Sequence, residues 1–251
     1  MAEETTKSGI ALVTGANKGI GREVAAQLAE QGFTVLVGAR DAALGAAAAD
    51  EISAAGGDAQ FVRLDVTDDD SVRIAADFIG ERFGRLDVLV NNAGISGGID
   101  TLIPSTANPD SVRAVFDTNV FGVIRVTNAV LPWLLRSTAP RIVNLSSSVG
   151  SLSIMGDPAG PFANVPASAG YAPSKTALNA ITVQYAKELR KDNVLVNAAD
   201  PGRCDTDLIR GVGFPSPRTA AEGATVAVRL ATLGPDGPTG GIFSETGSVP
   251  W

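Results

Sequence analysis

Thr14-Gly15-Ala16-Asn17-Lys18-Gly19-Ile20-Gly21 stands between the apolar run Ile10-Ala11-Leu12-Val13 and a helical pattern reaching to about residue 31. Glycines in a turn between a first strand and a first helix let backbone approach a pyrophosphate closely. They also aim the amide-rich end of the helix at that charge. The spacing is Gly-x-x-x-Gly-x-Gly rather than the commoner Gly-x-Gly-x-x-Gly. Such a turn says little alone; its position inside a strand–helix–strand unit gives it weight.

The same alternation continues outward from this turn. Short β-branched runs at 34–39, 60–65, 88–91, 141–146, 194–198 and 241–243 alternate with helical patterns at about 41–55, 68–83, 109–136, 171–190 and 219–232. The runs are apolar on both faces, as in strands covered from both sides. The expected fold is therefore α/β, a Rossmann-type doubly wound parallel sheet in three layers with right-handed crossovers. No repeat or linker divides the chain, so 9–251 reads as a single domain behind a polar tail at 1–8 expected to be disordered. Two stretches rich in Gly and Pro, 148–170 and 203–217, break the rhythm. Both follow strands and are expected at the carboxyl edge of the sheet, where such folds bind ligands.

Composition removes several classes of chemistry. The chain of 251 residues has no histidine, which excludes Ser-His-Asp and Cys-His catalysis and histidine-ligated metal sites; no metal is expected. A net charge of −7 argues against nucleic acid as a partner. The one cysteine, Cys204, cannot form an internal disulfide and fits a reducing compartment. The polar start lacks the apolar core of a signal peptide and no apolar run reads as long enough to span a membrane. The expectation is a cytoplasmic protein without a membrane partner.

Without histidine, Tyr171 and Lys175 become the pair suited to proton transfer near neutrality. Four residues apart in a helical pattern, they share one face. An ammonium beside a phenol favours the ionised form and is expected to lower the phenol pKa. Arg40 ends the second strand. An acidic residue there would hold the ribose hydroxyls of NAD, whereas a basic one receives the 2′-phosphate of NADP. Arg40 with Lys18 therefore points to NADP(H), although Asp41 follows immediately.

With these residues in view, the chain resembles the classical short-chain dehydrogenase/reductase family from about residue 9 to 243. The glycine turn, with Gly15, Asn17, Lys18, Gly19, Ile20 and Gly21, is similar to that family's Thr-Gly-x-x-x-Gly-x-Gly. Asp65-Val66 resembles its adenine-contacting segment, and Asn91-Asn92-Ala93-Gly94 its Asn-Asn-Ala-Gly, lying along the cofactor. Tyr171 and Lys175 match its Tyr-x-x-x-Lys. Pro201-Gly202 with Thr206 resembles its Pro-Gly segment on the nicotinamide side. The resemblance implies a catalytic set of Asn119, Ser147, Tyr171 and Lys175. Tyr171 would donate the proton, Lys175 would hold the ribose and lower the Tyr171 pKa, Ser147 would orient the carbonyl, and Asn119 would anchor a water relaying protons. Ser146 and Ser148 flank Ser147, so that assignment rests on register.

Twenty-four positions separate Ser147 from Tyr171, more than in most of the family. The excess resembles the insertion of carbonyl-reductase-like members, which lies over the substrate and can disfavour the usual subunit contact; a homo-oligomer stays open. The implied activity is NADPH-dependent reduction of a ketone or aldehyde, a small and largely apolar carbonyl compound. Ile95, Met155, Phe162, Val165 and Phe214 are the candidates for its pocket. Two alternatives are reduction of a C=N or C=C bond on the same scaffold and a non-catalytic NADP(H) sensor, which would tend to lose Tyr171 or Lys175.

Overall fold

The computed structural model describes residues 9–208 and 217–251; the polar tail and the pocket candidate Phe214 lie outside them. The glycine turn joins β1 (Gly9–Thr14) to α1 (Gly19–Glu30). Alternation then continues through β2 (Phe33–Ala39), α2 (Ala42–Ala54), β3 (Asp58–Arg63), α3 (Asp69–Phe83) and β4 (Val88–Asn91). The second half adds α4 (Pro109–Phe116), α5 (Gly122–Leu134), β5 (Arg141–Leu145), α6 (Leu152–Met155), α7 (Tyr171–Glu188), β6 (Leu195–Ala199), α8 (Ala220–Ala231), β7 (Ile242–Ser244) and β8 (Gly247–Val249). Among the described residues these strands form one sheet in the order β3-β2-β1-β4-β5-β6-β7-β8. It is parallel except for the last pair, an antiparallel hairpin. The strand β8 has no counterpart in the sequence reading, because three residues are too few to show a period.

Side chains alternate across a strand, and β1 uses both faces. Ala11 and Val13 join a core with Val24 and Leu28 of α1 and Val226 and Leu230 of α8. Ile10 and Leu12 join the opposite core with Ile79 of α3, Val126 and Leu134 of α5, and Tyr185 of α7. Two helical layers thus sandwich the sheet, and uniformly apolar strands follow from burial on both sides. Strand order reverses between β1 and β4, which opens a crevice beyond their carboxyl ends.

The long helical pattern at 109–136 is two α-helices joined by a π turn, Asp117–Phe121. Against the sequence expectation, the run Pro109–Leu134 is long and apolar enough to cross a membrane by length and composition. It is a core helix instead: Val115, Val120, Val126, Val130 and Leu134 are buried in the protein.

Candidate active site

Every residue expected around the dinucleotide, from Gly15 to Thr206, borders one cavity of about 1320 Å³ at the carboxyl edge of the sheet. Gly15 (φ 63°) and Gly19 (φ 56°) occupy left-handed conformations that favour glycine. A Cβ at Gly15 would stand 2.9 Å from the Ala93 Cα, and one at Gly21 would stand 2.6 Å from the Gly15 carbonyl oxygen. Bare backbone therefore faces the place where a pyrophosphate must approach. The N-terminus of α1 has no side-chain cap and no acidic residue in its first turn, which leaves its amides to an anion. This cradle fits a dinucleotide.

The turn is latched from β4. Asn92 Nδ2 donates to the carbonyls of Thr14 (2.9 Å) and Gly15 (3.1 Å), and Thr14 Oγ1 accepts the amides of Asn92 and Ala93, each at 3.0 Å. Behind it a chain of buried side chains crosses the sheet: Asn91 donates to Asn144 (2.9 Å), which donates to Thr182 (2.9 Å). In a dry interior such a chain fixes the spacing of β4, β5 and α7.

Arg40 is exposed at the end of β2, beside Asp65. Burial pushes the Asp65 carboxyl up, but hydrogen bonds from the Thr67 amide (3.0 Å) and hydroxyl (2.7 Å), with Arg40 and Arg125, bring it below its ordinary value. Arg125, which the sequence reading passed over, also donates to the Val66 carbonyl (2.7 Å). Lys18 does not stand free beside Arg40: its ammonium pairs with Asp207 at 2.7 Å across the mouth of the cavity. Thr206 sits next to the turn, its Cγ2 3.5 Å from where a Gly19 Cβ would be.

Hydrogen bonding distinguishes the three neighbouring serines. Ser146 is buried and donates to Asn179 Oδ1 (2.5 Å), while Ser148 donates to the Asp200 carboxylate. Ser147 Oγ only accepts, from the Val149 amide at 3.3 Å, so its proton remains to donate into the cavity. Gly150 lets this loop lie on α7; a Cβ there would stand 2.7 Å from the Lys175 carbonyl carbon.

Tyr171 and Lys175 both border the cavity, but not as the simple pairing implies. The Lys175 ammonium, 4% exposed, donates to the Leu145 carbonyl at 2.6 Å and lies 5.5 Å from the centre of the Tyr171 ring. Burial lowers its pKa to about 8. The Tyr171 phenol is pushed up, by burial first and by the Asp200 carboxylate second. The expected lowering of the Tyr171 pKa is therefore reversed here: desolvation and a nearby anion outweigh an ammonium already engaged elsewhere.

Asn119 is tied to the cavity wall and to α7. It lies in the π turn and is fully buried, its Oδ1 accepting from the Ile95 amide (2.9 Å) and its Nδ2 donating to the Ile95 carbonyl (2.9 Å) and Ser174 Oγ (3.0 Å). Both amide donors are engaged, while Oδ1 keeps a second lone pair. Of the pocket candidates, Ile95, Phe162 and Val165 border the cavity and Met155 does not; Arg203 and Asp205 border it too. Asp200, 6% exposed at the end of β6, is the site residue sequence reasoning missed. Its signal was available: a carboxylate at the carboxyl end of a buried parallel strand.

The short chain dehydrogenase family model matches residues 9–213. The short-chain dehydrogenase anuI of Penicillium roqueforti is 40% identical, over 90% of this chain and 89% of that protein. Salutaridine reductase of Papaver bracteatum is 34% identical, over 95% of this chain and 94% of its own length. The structure of NADPH-bound carbonyl reductase from chicken fatty liver superposes with a TM-score of 0.83 at 26% identity, covering 96% of this chain and 98% of that one. The match begins at the first residue of β1 and runs past the Pro201-Gly202 turn: the chain belongs to the short-chain dehydrogenase family.

Proposed function

We propose that Tyr171, Lys175 and Ser147 carry out an NADPH-dependent reduction of a ketone or aldehyde to an alcohol. The chain is an NADP(H)-dependent oxidoreductase acting on a small-molecule carbonyl/alcohol pair. Bound NADPH supplies a hydride to the carbonyl carbon. Tyr171 Oη gives its proton to the carbonyl oxygen as negative charge develops there, and is then reprotonated from solvent. One carbonyl compound, one NADPH and one proton are consumed; an alcohol and NADP⁺ leave. Ser147 Oγ–H donates to the same oxygen and aims the carbonyl. Lys175 places a positive charge beside the phenol below about pH 8. Asn119 acts at a distance from the reacting atoms, pinning Ile95 and Ser174 so that the cavity wall and the first turn of α7 keep their spacing.

The observation that carries this reading is the convergence of Ser147, Tyr171 and Lys175 on the cavity that also holds the glycine cradle. Arg40 at the end of β2 favours NADPH over NADH. Ile95, Phe162 and Val165 on the wall favour a largely apolar substrate. One free cysteine suits a reducing, cytoplasmic location. The test is NADPH consumption with a panel of ketones and aldehydes: wild type is expected to turn over at least one, and Tyr171→Phe to lose that activity. Equal rates in the two proteins would remove Tyr171 as proton donor.

A further inference from the structure

The short 3₁₀ turn Ile99–Thr101 inverts the ordinary partition of side chains. Thr101 is fully buried, whereas its neighbours Ile99 and Ile103 are 83% and 62% exposed. A threonine taken inside while isoleucines stay in water is held there by its hydrogen bonds. Its hydroxyl proton is shared between the carbonyls of Ser96 (3.2 Å) and Gly98 (3.0 Å), on the loop that leaves β4. Its own carbonyl accepts the amides of Ala169 (2.8 Å) and Gly170 (3.2 Å), the two residues before Tyr171. The packing is as close as the bonding. A Cβ at Gly97 would stand 2.7 Å from Thr101 Cγ2, and one at Gly170 would stand 2.8 Å from Thr101 Cβ. Thr101 is thus wedged between two glycines, one on the cavity wall and one at the start of α7.

We infer that Thr101 is a positioning residue for the reduction, fixing the spacing between Tyr171 and the wall at residues 95–97 against which the carbonyl compound is held. The inference rests on Tyr171 being the proton donor. Tyr171 is the first residue of α7, so its side chain moves with the Gly170 cap that Thr101 holds. Asn119 braces the same two parts at a second point, joining Ile95 to Ser174. Either brace alone leaves a pivot; the two together stop the wall from tilting against α7. Thr101 does not itself border the cavity, so it acts through Gly170 and the loop after β4 and not on the reacting atoms. Without its hydroxyl the Ser96 carbonyl loses this donor, and the turn is free to drift from the start of α7. A misplacement of about 1 Å costs on the order of a hundredfold in rate, so the smaller drift that follows one lost hydrogen bond corresponds to about tenfold. The glycine cradle and Arg40 sit on β1 and β2, outside these contacts, and their hold on a dinucleotide is unaffected.

The test is a double-mutant cycle in the full chain, with NADPH and a carbonyl compound that the wild type reduces. Thr101→Val keeps the shape and drops the hydroxyl, whereas Thr101→Ser keeps the hydroxyl. Thr101→Val is expected to lower kcat about tenfold and to leave NADPH affinity, read by fluorescence titration, within about twofold. Thr101→Ser is expected to recover most of the lost kcat. The Tyr171→Phe background shows the route. There Thr101→Val should cost almost nothing further in residual kcat, because no proton donor remains to be placed. The same tenfold loss in both backgrounds overturns the inference, as does an unchanged kcat in Thr101→Val alone. If Thr101→Val does not fold, Gly170→Ala, which presses a methyl onto Thr101, takes its place in the cycle. Failure of the proposed reaction gives a different result: Tyr171→Phe alone is then as fast as the wild type.

Discussion

At the scale of single residues, the site sets a proton donor that resists ionisation against a cation that resists protonation. Tyr171→Phe keeps the ring and removes the proton. It is expected to lower kcat by roughly 10²–10⁴-fold with NADPH affinity nearly unchanged, as steady-state rates and a fluorescence titration will show. Lys175 carries a cost for the fold. Its pKa is about 8 in the folded protein against an ordinary 10.5, so between those values the unfolded chain binds more protons. Wild-type stability should therefore rise with pH through that window. Below it, the buried ammonium costs on the order of 3 kcal/mol. Lys175→Met is thus expected to be inactive yet at least as resistant to urea at pH 7, with no such rise; a large loss of stability would contradict the cost. Arg40→Ala should weaken NADPH about ten- to hundredfold and leave NADH nearly unaffected, as expected for losing one charged contact. Parallel titrations of the two cofactors measure that.

At the scale of elements, the glycine turn and the Asn92 latch work as one unit. Gly21→Ala would drive a methyl against the Gly15 carbonyl and the Asn92 amide, so the latch must open. The expected outcome is a loss of about 1–3 kcal/mol in chemical denaturation together with loss of dinucleotide binding. The turn was legible from sequence because its glycines are required by backbone geometry and fall at fixed offsets after β1. The strands were legible because burial on both faces makes them uniformly apolar. The π turn at Asp117–Phe121 was not, since i→i+5 bonding leaves no mark in a helical pattern. For the same reason the sequence located Asn119 but not the engagement of its side chain with Ile95 and Ser174. The Tyr171–Lys175 spacing was legible too. The direction of the phenol shift was not, because it depends on desolvation and on Asp200, which lies 29 residues further along the chain at the end of another strand.

At the scale of the molecule, the sheet order distributes one site over distant parts of the chain. The strand β1 pairs on one side with β2, Gly9 against Phe33, and on the other with β4, Ala11 against Val88. The first pairing closes a short loop; the second must wait for a long one, and parallel sheets with such separations form slowly. This orders events during synthesis on the ribosome. A nascent chain that has emerged only as far as α3 already contains the whole glycine fingerprint, together with Arg40 and Asp65. It lacks Asn92, so nothing holds the carbonyls of Thr14 and Gly15 in place. Until Asn92 has been added, the glycine turn is present in sequence without the latch that fixes its two carbonyls.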